Sequence, residues 1–302
     1  MPVQAPARVT DRVWLLGREE SCLSLLKGDG EYVLLGGGMV HVGPDVAEQV
    51  DHFRIDPQQI TKLVILHAHF DHCAAVPFLR RKWPWLRVLG SRRAKELLAT
   101  KKVIESIQFM NQVLLEREGI KGQAEELGLD FPGVDVDQPL AEGDTVSCGE
   151  ARLQVLEVPG HSSCSIALYD PGQKALFASD ATGIPMGEEV FTAANSNFDR
   201  YEQSLSRMRD LEVEVHVAEH FGARVGQEAR QFLERSAQSA RRTREIMEEA
   251  IDRTGDSEQA TEEIVSRLEP QLPEKFLPRD VVSIVVGQMV KYLGKQRLPQ
   301  DQ

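Results

Sequence analysis

His67-Ala68-His69-Phe70-Asp71-His72 (HAHFDH, residues 67–72) gathers three of the chain's eight histidines and an aspartate into six positions. The stretch just before it, Lys62-Leu63-Val64-Ile65-Leu66, has the length and apolar continuity of a buried strand. In extended chain, residues two apart point the same way, so the imidazoles of His67 and His69 converge beyond the strand end. The chain then turns toward a helix carrying Phe78 and Leu79, which sends Asp71 and His72 to a neighbouring point. Three imidazoles packed this closely with no cation among them repel one another on protonation. The hexapeptide therefore reads as a metal-binding turn.

Three further donors each follow a strand-like run. His161 stands in Pro159-Gly160-His161-Ser162 after Leu153 to Val158, Asp180 in Ala178-Ser179-Asp180-Ala181 after Ala175 to Ala178, and His220 in Ala218-Glu219-His220-Phe221-Gly222 after Val213 to Val217. Strand ends along one sheet edge can share a single site. His41, His52 and His216 lack such placement and read as ordinary surface or core residues.

The rest of the pattern frames these strands. Val13 to Leu16, Cys22 to Leu26 and Tyr32 to Leu35 are short apolar runs separated by turns, as in antiparallel sheet. Residues 44–53 read as a helix and Arg87-Val88-Leu89-Gly90 as a strand. From about 95 to 128 the spacing is helical, with Val103, Ile107, Met110, Val113, Leu114 and Ile120 on the apolar side. Strands resume at Thr145-Val146, at 153–158, at Ser165 to Tyr169, at 175–178 and at 213–217. After Gly226 the chain is helical. Val225, Ala229, Phe232, Leu233, Ser236, Ala240, Thr243 and Met247 form one stripe, Ile264, Val265 and Leu268 mark a short helix, and Phe276-Leu277-Pro278 leads into a last apolar helix over 281–293.

Composition excludes several functions. The 302 residues suffice for a real core without disulfides, and the four cysteines form no CxxC pair, so reduced thiols are expected. Cys73 and Cys164, although close to the histidines, read as small packing residues. A net charge of −12 opposes a polyanionic partner such as nucleic acid; Arg80-Arg81-Lys82 and Arg92-Arg93 read as solvated helix ends. No apolar run approaches the roughly 20 residues of a membrane span, and the first residues lack the apolar core of a signal peptide. The expectation is a cytoplasmic protein without membrane or nucleic-acid partners, compatible with a homodimer.

The ordered set His67, His69, Asp71, His72, His161, Asp180, His220 resembles the HxHxDH…His…Asp…His pattern of the metallo-β-lactamase fold superfamily, over roughly residues 8 to 225. That resemblance implies an α/β fold, a four-layer αββα sandwich over 1–225 with a helical insertion at about 95–128 and a C-terminal helical extension over 226–302. It implies that His67, His69 and His161 hold one divalent metal, that Asp71, His72 and His220 hold a second, and that Asp180 bridges them. Zinc, iron and manganese all suit these donors. Such a pair makes a hydroxide available at neutral pH, with Asp71 and Asp180 as the catalytic carboxylates that position it. Members commonly carry an Asp after the early strand; here the stretch is Leu34-Leu35-Gly36-Gly37-Gly38, so the contact this Asp makes to the ligands is expected to be missing. Ser179 and Glu219 also stand where glycines are usual.

The layout is similar to the quinolone-signal response protein, a thioesterase-like member, and to glyoxalase II, which favours a hydrolase of a small thioester or related ester. The insertion, with Phe109 and Met110 as wall residues, and the helical tail are the segments left to shape a substrate site. A lactonase is weakened by Ala181-Thr182-Gly183, which lacks the tyrosine associated with that activity. Phosphodiester hydrolysis, iron-dependent oxidoreduction and a regulatory, non-enzymatic role acting through the tail complete the alternatives.

Overall fold

The computed structural model describes residues 2–268 and 278–297; the Phe276-Leu277 step read into the last helix lies outside them. The chain forms two compact units. The first takes the residues up to Glu157 together with Cys164–Ser179 and Glu212–Ala229, and the second takes Val158–Ser163, Asp180–Leu211 and the chain from Arg230 onward.

The first unit is a sandwich of two mixed sheets. One runs in chain order, β1 (Ala7–Arg8), β2 (Val13–Gly17), β3 (Cys22–Lys27), β4 (Tyr32–Leu35), β5 (Ile60–Ile65), β6 (Arg87–Ser91) and β7 (Gln138–Leu140). Its first four strands are antiparallel meanders. From β4 onward the pairing is parallel, because α1 (Gly43–His52) and then α2 (Val76–Lys82) carry the chain back between strands. α3 (Arg92–Leu98), capped by the Ser91 hydroxyl accepting from Ala94 N–H, and α4 (Lys101–Arg117) form the helical insertion before β7.

The second sheet uses β8 (Thr145–Cys148), β9 (Ala151–Glu157), β10 (Ile166–Asp170) and β11 (Ala175–Phe177). The chain next enters the second unit through the hairpin of β12 (Ile184–Met186) and β13 (Glu189–Phe191), and returns to the sheet as β14 (Val215–Val217) and β15 (Ala223–Val225). The order is β15-β14-β11-β10-β9-β8.

A period of two in the sequence builds the core between the sheets. Val13 and Leu15, Val33 and Leu35, Leu153 and Val155, Ile166 and Leu168, and Val215 and Val217 all point into one buried cluster. The intervening Trp14, Leu16, Leu34, Leu63 and Ile65 are buried on the opposite face, which α1 helps cover. With both faces dry, β5 reads as a continuous apolar run.

In the second unit α5 (Phe198–Arg209), α6 (Gln227–Thr254, whose first turn belongs to the first unit), α7 (Ser257–Leu268) and α8 (Arg279–Arg297) make the C-terminal helical extension and its neighbours. Arg244 on α6 bonds Glu202 and Asp199 of α5, and Tyr292 of α8 donates to the same Asp199 at 2.9 Å. Ala229, Phe232, Leu233, Ser236, Ala240 and Met247 are buried along α6 as their spacing requires. Thr243 of the same stripe is only half-buried, and Val225 lies outside the helix: it ends β15, is 43% exposed, and is cut off from α6 by Gly226 at φ +60°.

Candidate metal centre

The site begins where β5 ends. His67 through His69 continue extended, His69 at φ −76° and ψ 154°, and then residues Phe70–His72 close a tight 3-10 turn with His72 N–H donating to the His69 carbonyl at 3.1 Å. As the i, i+2 spacing demands, His67 Nε2 and His69 Nδ1 meet at 3.2 Å. The turn swings Asp71 and His72 to the side, where His220 joins them from the end of β14. Asp71 Oδ2 lies 3.3 Å from His72 Nε2 and 3.6 Å from His220 Nε2, and the two Nε2 atoms are 3.1 Å apart.

Backbone geometry holds each ligand. Gly37 N–H donates to the His72 carbonyl, and a Cβ on Gly37 would lie 2.7 Å from that oxygen and 2.6 Å from Val76, so only glycine lets the end of β4 approach the turn. His220 precedes Phe221 and Gly222, both left-handed at φ +54° and +81°; a Cβ at Gly222 would meet the Val3 carbonyl at 2.0 Å. The Nδ1–H of His220 donates to the Glu20 carbonyl at 2.6 Å, which fixes the tautomer and leaves Nε2 as a lone pair. Burial pushes the Asp71 carboxyl up, but His72 and His220 beside it prevail and hold it well below the usual carboxylate range.

Do these donors fit a metal? A tetrahedral zinc with Zn–N bonds of about 2.0–2.1 Å has donor-to-donor edges of roughly 3.3–3.4 Å. The separations of 3.1 to 3.6 Å in the Asp71, His72, His220 group and of 3.2 Å between His67 and His69 are of that size. Lone pairs brought so close without a cation would repel. The residues fit a divalent metal, and imidazole with carboxylate admits zinc, iron or manganese.

In the second unit, His161 Nε2 lies 3.5 Å from Asp180 Oδ2, and His161 Nδ1–H donates to the Ala193 carbonyl at 2.7 Å. Gly160 makes this local shape. It sits at φ +140°, its carbonyl accepts from Ser196 and Asn197, and a Cβ there would strike the Tyr201 backbone at 2.3 Å. Each of the seven ligands read from the sequence is thus buried or half-buried with another of the seven as neighbour: five in the first unit, two in the second.

The proposed wall residues lie on α4, which packs against the Phe70–His72 turn. Phe109 is 63% exposed and Met110 is half-buried. Cys73 and Cys164 are buried and form no disulfide. The Cys73 thiol donates to the His69 carbonyl at 3.2 Å, and the Cys164 sulfur accepts from Ala68 N–H, so both serve packing and backbone support.

Sequence reasoning missed the part played by the departures from the usual pattern. Ser179 adopts a left-handed φ of +48°, which explains why glycine is the natural occupant, and its hydroxyl lies 3.3 Å from His67 Nδ1 and 3.4 Å from His72 Nδ1. Glu219, only 4% exposed, brings Oε2 to 3.1 Å from His72 Nδ1. Its carboxyl fills the space above Gly36, where a Cβ would lie 2.1 Å from Oε1. A carboxyl from the turn after β14 thus stands beside His72, above the position where the early-strand Asp is missing. The signal was present as a pair: side chains gained at 179 and 219, and one lost at 36.

The metallo-beta-lactamase superfamily model matches residues 20–220, and the chain belongs to that family. Among curated proteins it is similar to the acyl-coenzyme A thioesterase MBLAC2 of Gallus gallus, 29% identical over 149 residues, 49% of this chain and 50% of that protein. It is also similar to the hydroxyacylglutathione hydrolase of Bradyrhizobium sp. (strain ORS 278), 26% identical over 137 residues, 45% of this chain and 40% of that protein. The chain thus spans about half the length, or less, of these relatives. A crystal structure of a metallo-beta-lactamase family protein from Thermus thermophilus superposes with a TM-score of 0.68 at 18% identity, covering 98% of this chain and 97% of that one, and shares the fold. Among the described residues no helix is long and apolar enough to cross a membrane.

Proposed function

We propose that this superfamily hydrolase is a dinuclear, metal-dependent hydrolase of a small thioester or related ester. The observation that carries the reading is the convergence of Asp71, His72 and His220 at donor separations of 3.1 to 3.6 Å. Both curated relatives carry names that place them on thioesters, acyl-coenzyme A and hydroxyacylglutathione.

On the ligand order of the family, His67, His69 and His161 would hold one metal and Asp71, His72 and His220 a second, with Asp180 as a further carboxylate ligand. Metals held by these residues would supply Lewis acidity, lowering the pKa of a water and polarising an acyl carbonyl. The chain's own groups do the rest. Asp71, whose Oδ2 faces His72 and His220, would use its other carboxylate oxygen to orient a water and take up its proton. The backbone carbonyl of Glu20 keeps the proton of His220 on Nδ1, so Nε2 stays available. Phe109 and Met110 on α4 offer apolar surface beside the turn to an acyl group. The acidic chain keeps polyanions away, and a cytoplasmic setting suits four cysteines that form no disulfide.

The test is metal analysis of the purified protein coupled to a hydrolysis panel of acyl-coenzyme A, S-acylglutathione, lactone and phosphodiester substrates. Thioester turnover well above the other two classes supports the reading. A metal-replete preparation that turns over none of them ends it.

A further inference from the structure

Glu219, His67 and His72 bring one donor atom each within ligand distance of the others, and at first sight they form a third metal-binding group. The atoms involved argue otherwise. His72 presents Nε2 to Asp71 and His220, and His67 presents Nε2 to His69; it is the rear nitrogens, Nδ1, that face Glu219 and Ser179. A neutral imidazole that gives one nitrogen to a metal carries its proton on the other. The Nδ1 edge of His72 is therefore the one beside the Glu219 carboxyl, whose Oε2 lies 3.1 Å away, and the Ser179 hydroxyl, 3.4 Å away.

The burial of that carboxyl is a second, independent sign. Glu219 is 4% exposed, and neither of its oxygens has an aligned hydrogen-bond donor among the described residues. A buried acceptor left in that condition is destabilising, and more so if it is charged. Its backbone needs no such side chain, since the Glu219 carbonyl is already taken by Cys22 N–H at 2.9 Å. The glycine at position 36 is likewise shaped around it: the Cβ position there is occupied by Glu219 Oε1 and Cδ, at 2.1 and 2.9 Å. Only one of positions 36 and 219 can carry a side chain into this space, and here it is 219.

We propose that Glu219 is a positioning residue for the metal centre: its carboxyl, with the Ser179 hydroxyl, receives the Nδ1–H of His72 and so fixes the tautomer and ring orientation that present Nε2 to the metal. This rests on the metal-binding reading above. Carboxyl partners of ligating histidines change metal affinity by about 10–100-fold when removed.

The experiment compares the wild type with Glu219→Met, an apolar side chain of similar length, and Glu219→Gln, whose amide oxygen still accepts from Nδ1–H. Co2+ affinity is measured by chelator competition, the histidine ring-proton resonances by NMR on the metal-free protein, and thermal stability on the metal-free protein. The expected result is that Glu219→Met melts at or above the wild type yet binds Co2+ at least tenfold more weakly and loses the downfield Nδ1–H resonance of His72. Glu219→Gln recovers most of both. The inference is overturned if Glu219→Met binds Co2+ as the wild type does, or if it fails to fold or melts lower with affinity falling only in step, which would make Glu219 a packing residue. A Glu219→Gln variant no better than Glu219→Met also overturns it. A wild type that takes up no Co2+ brings down the metal reading itself, whereas equal binding by wild type and Glu219→Met sinks this inference alone.

Discussion

The Nε2 atoms of His72 and His220 stand 3.1 Å apart although 148 positions separate them in the chain. Because the Glu20 carbonyl takes the Nδ1 proton of His220, that ring offers a lone pair to its neighbour, and so does His72 if its own proton faces Glu219. Two lone pairs at this distance call for a cation. His220→Ala is expected to lower bound metal from two equivalents per chain to about one, by elemental analysis, and to abolish hydrolysis. His69→Ala is expected to reduce metal content and activity together. Retention of two equivalents in either variant contradicts the assignment.

Asp71 is the one ligand whose carboxyl also remains partly open to solvent, its side chain 20% exposed. That position suits a group that meets water and substrate as well as metal. Asp71→Asn keeps the shape and removes the base, and in protein matched to the wild type for metal content by elemental analysis kcat is expected to fall by roughly 10²–10⁴. A drop of less than tenfold in kcat would remove Asp71 from the proton transfer.

The sequence made the strand-end ligands legible because each rests on a local rule: period two placed His67 with His69, and the apolar runs β9, β11 and β14 announced the ends that carry His161, Asp180 and His220. Other parts are set by distant contacts. β12 and β13 are three residues each and have no pattern that stands out alone, whereas α5 carries Phe198, Tyr201, Leu205 and Met208 at helical spacing after an Asn197 cap, a signal the sequence reading passed over. The partnership of Gly36 with Glu219 joins residues far apart in sequence, and neither has a periodicity to betray it. It became visible only when both were placed on one side of His72.

Gly36 is expected to tolerate no side chain while Glu219 is present. An alanine Cβ would lie 2.1 Å from Glu219 Oε1, and the backbone is left-handed at φ +92°. Gly36→Ala should lower the stability of the metal-free protein by about 1–3 kcal/mol in denaturant unfolding. In a Glu219→Ala background the same change should cost about 1 kcal/mol less, the steric part being relieved while the backbone strain stays. Additive effects of the two substitutions would show that the carboxyl does not dictate the glycine.

His216 provides a pH signature separate from the metal ligands. It is fully buried on β14, in register with the buried Arg224 of β15, and burial first, then the Arg224 charge, pull its pKa well below the ordinary value of 6.5. Between that depressed value and 6.5 the unfolded chain binds a proton at this residue that the folded chain refuses. Unfolding stability therefore rises with pH across this window, and falls as pH drops below about 6.5. His216→Leu removes the titrating group, leaving an apolar side chain in an already dry place. The metal-free wild type is expected to lose more thermal stability than metal-free His216→Leu between about pH 7.5 and about pH 5.5, with the two curves running parallel above about pH 7. Using metal-free protein keeps metal release out of the comparison, and the remaining histidines cancel between the two proteins. Parallel curves over the whole range would mean that His216 takes up its proton in the folded protein as readily as in the unfolded chain.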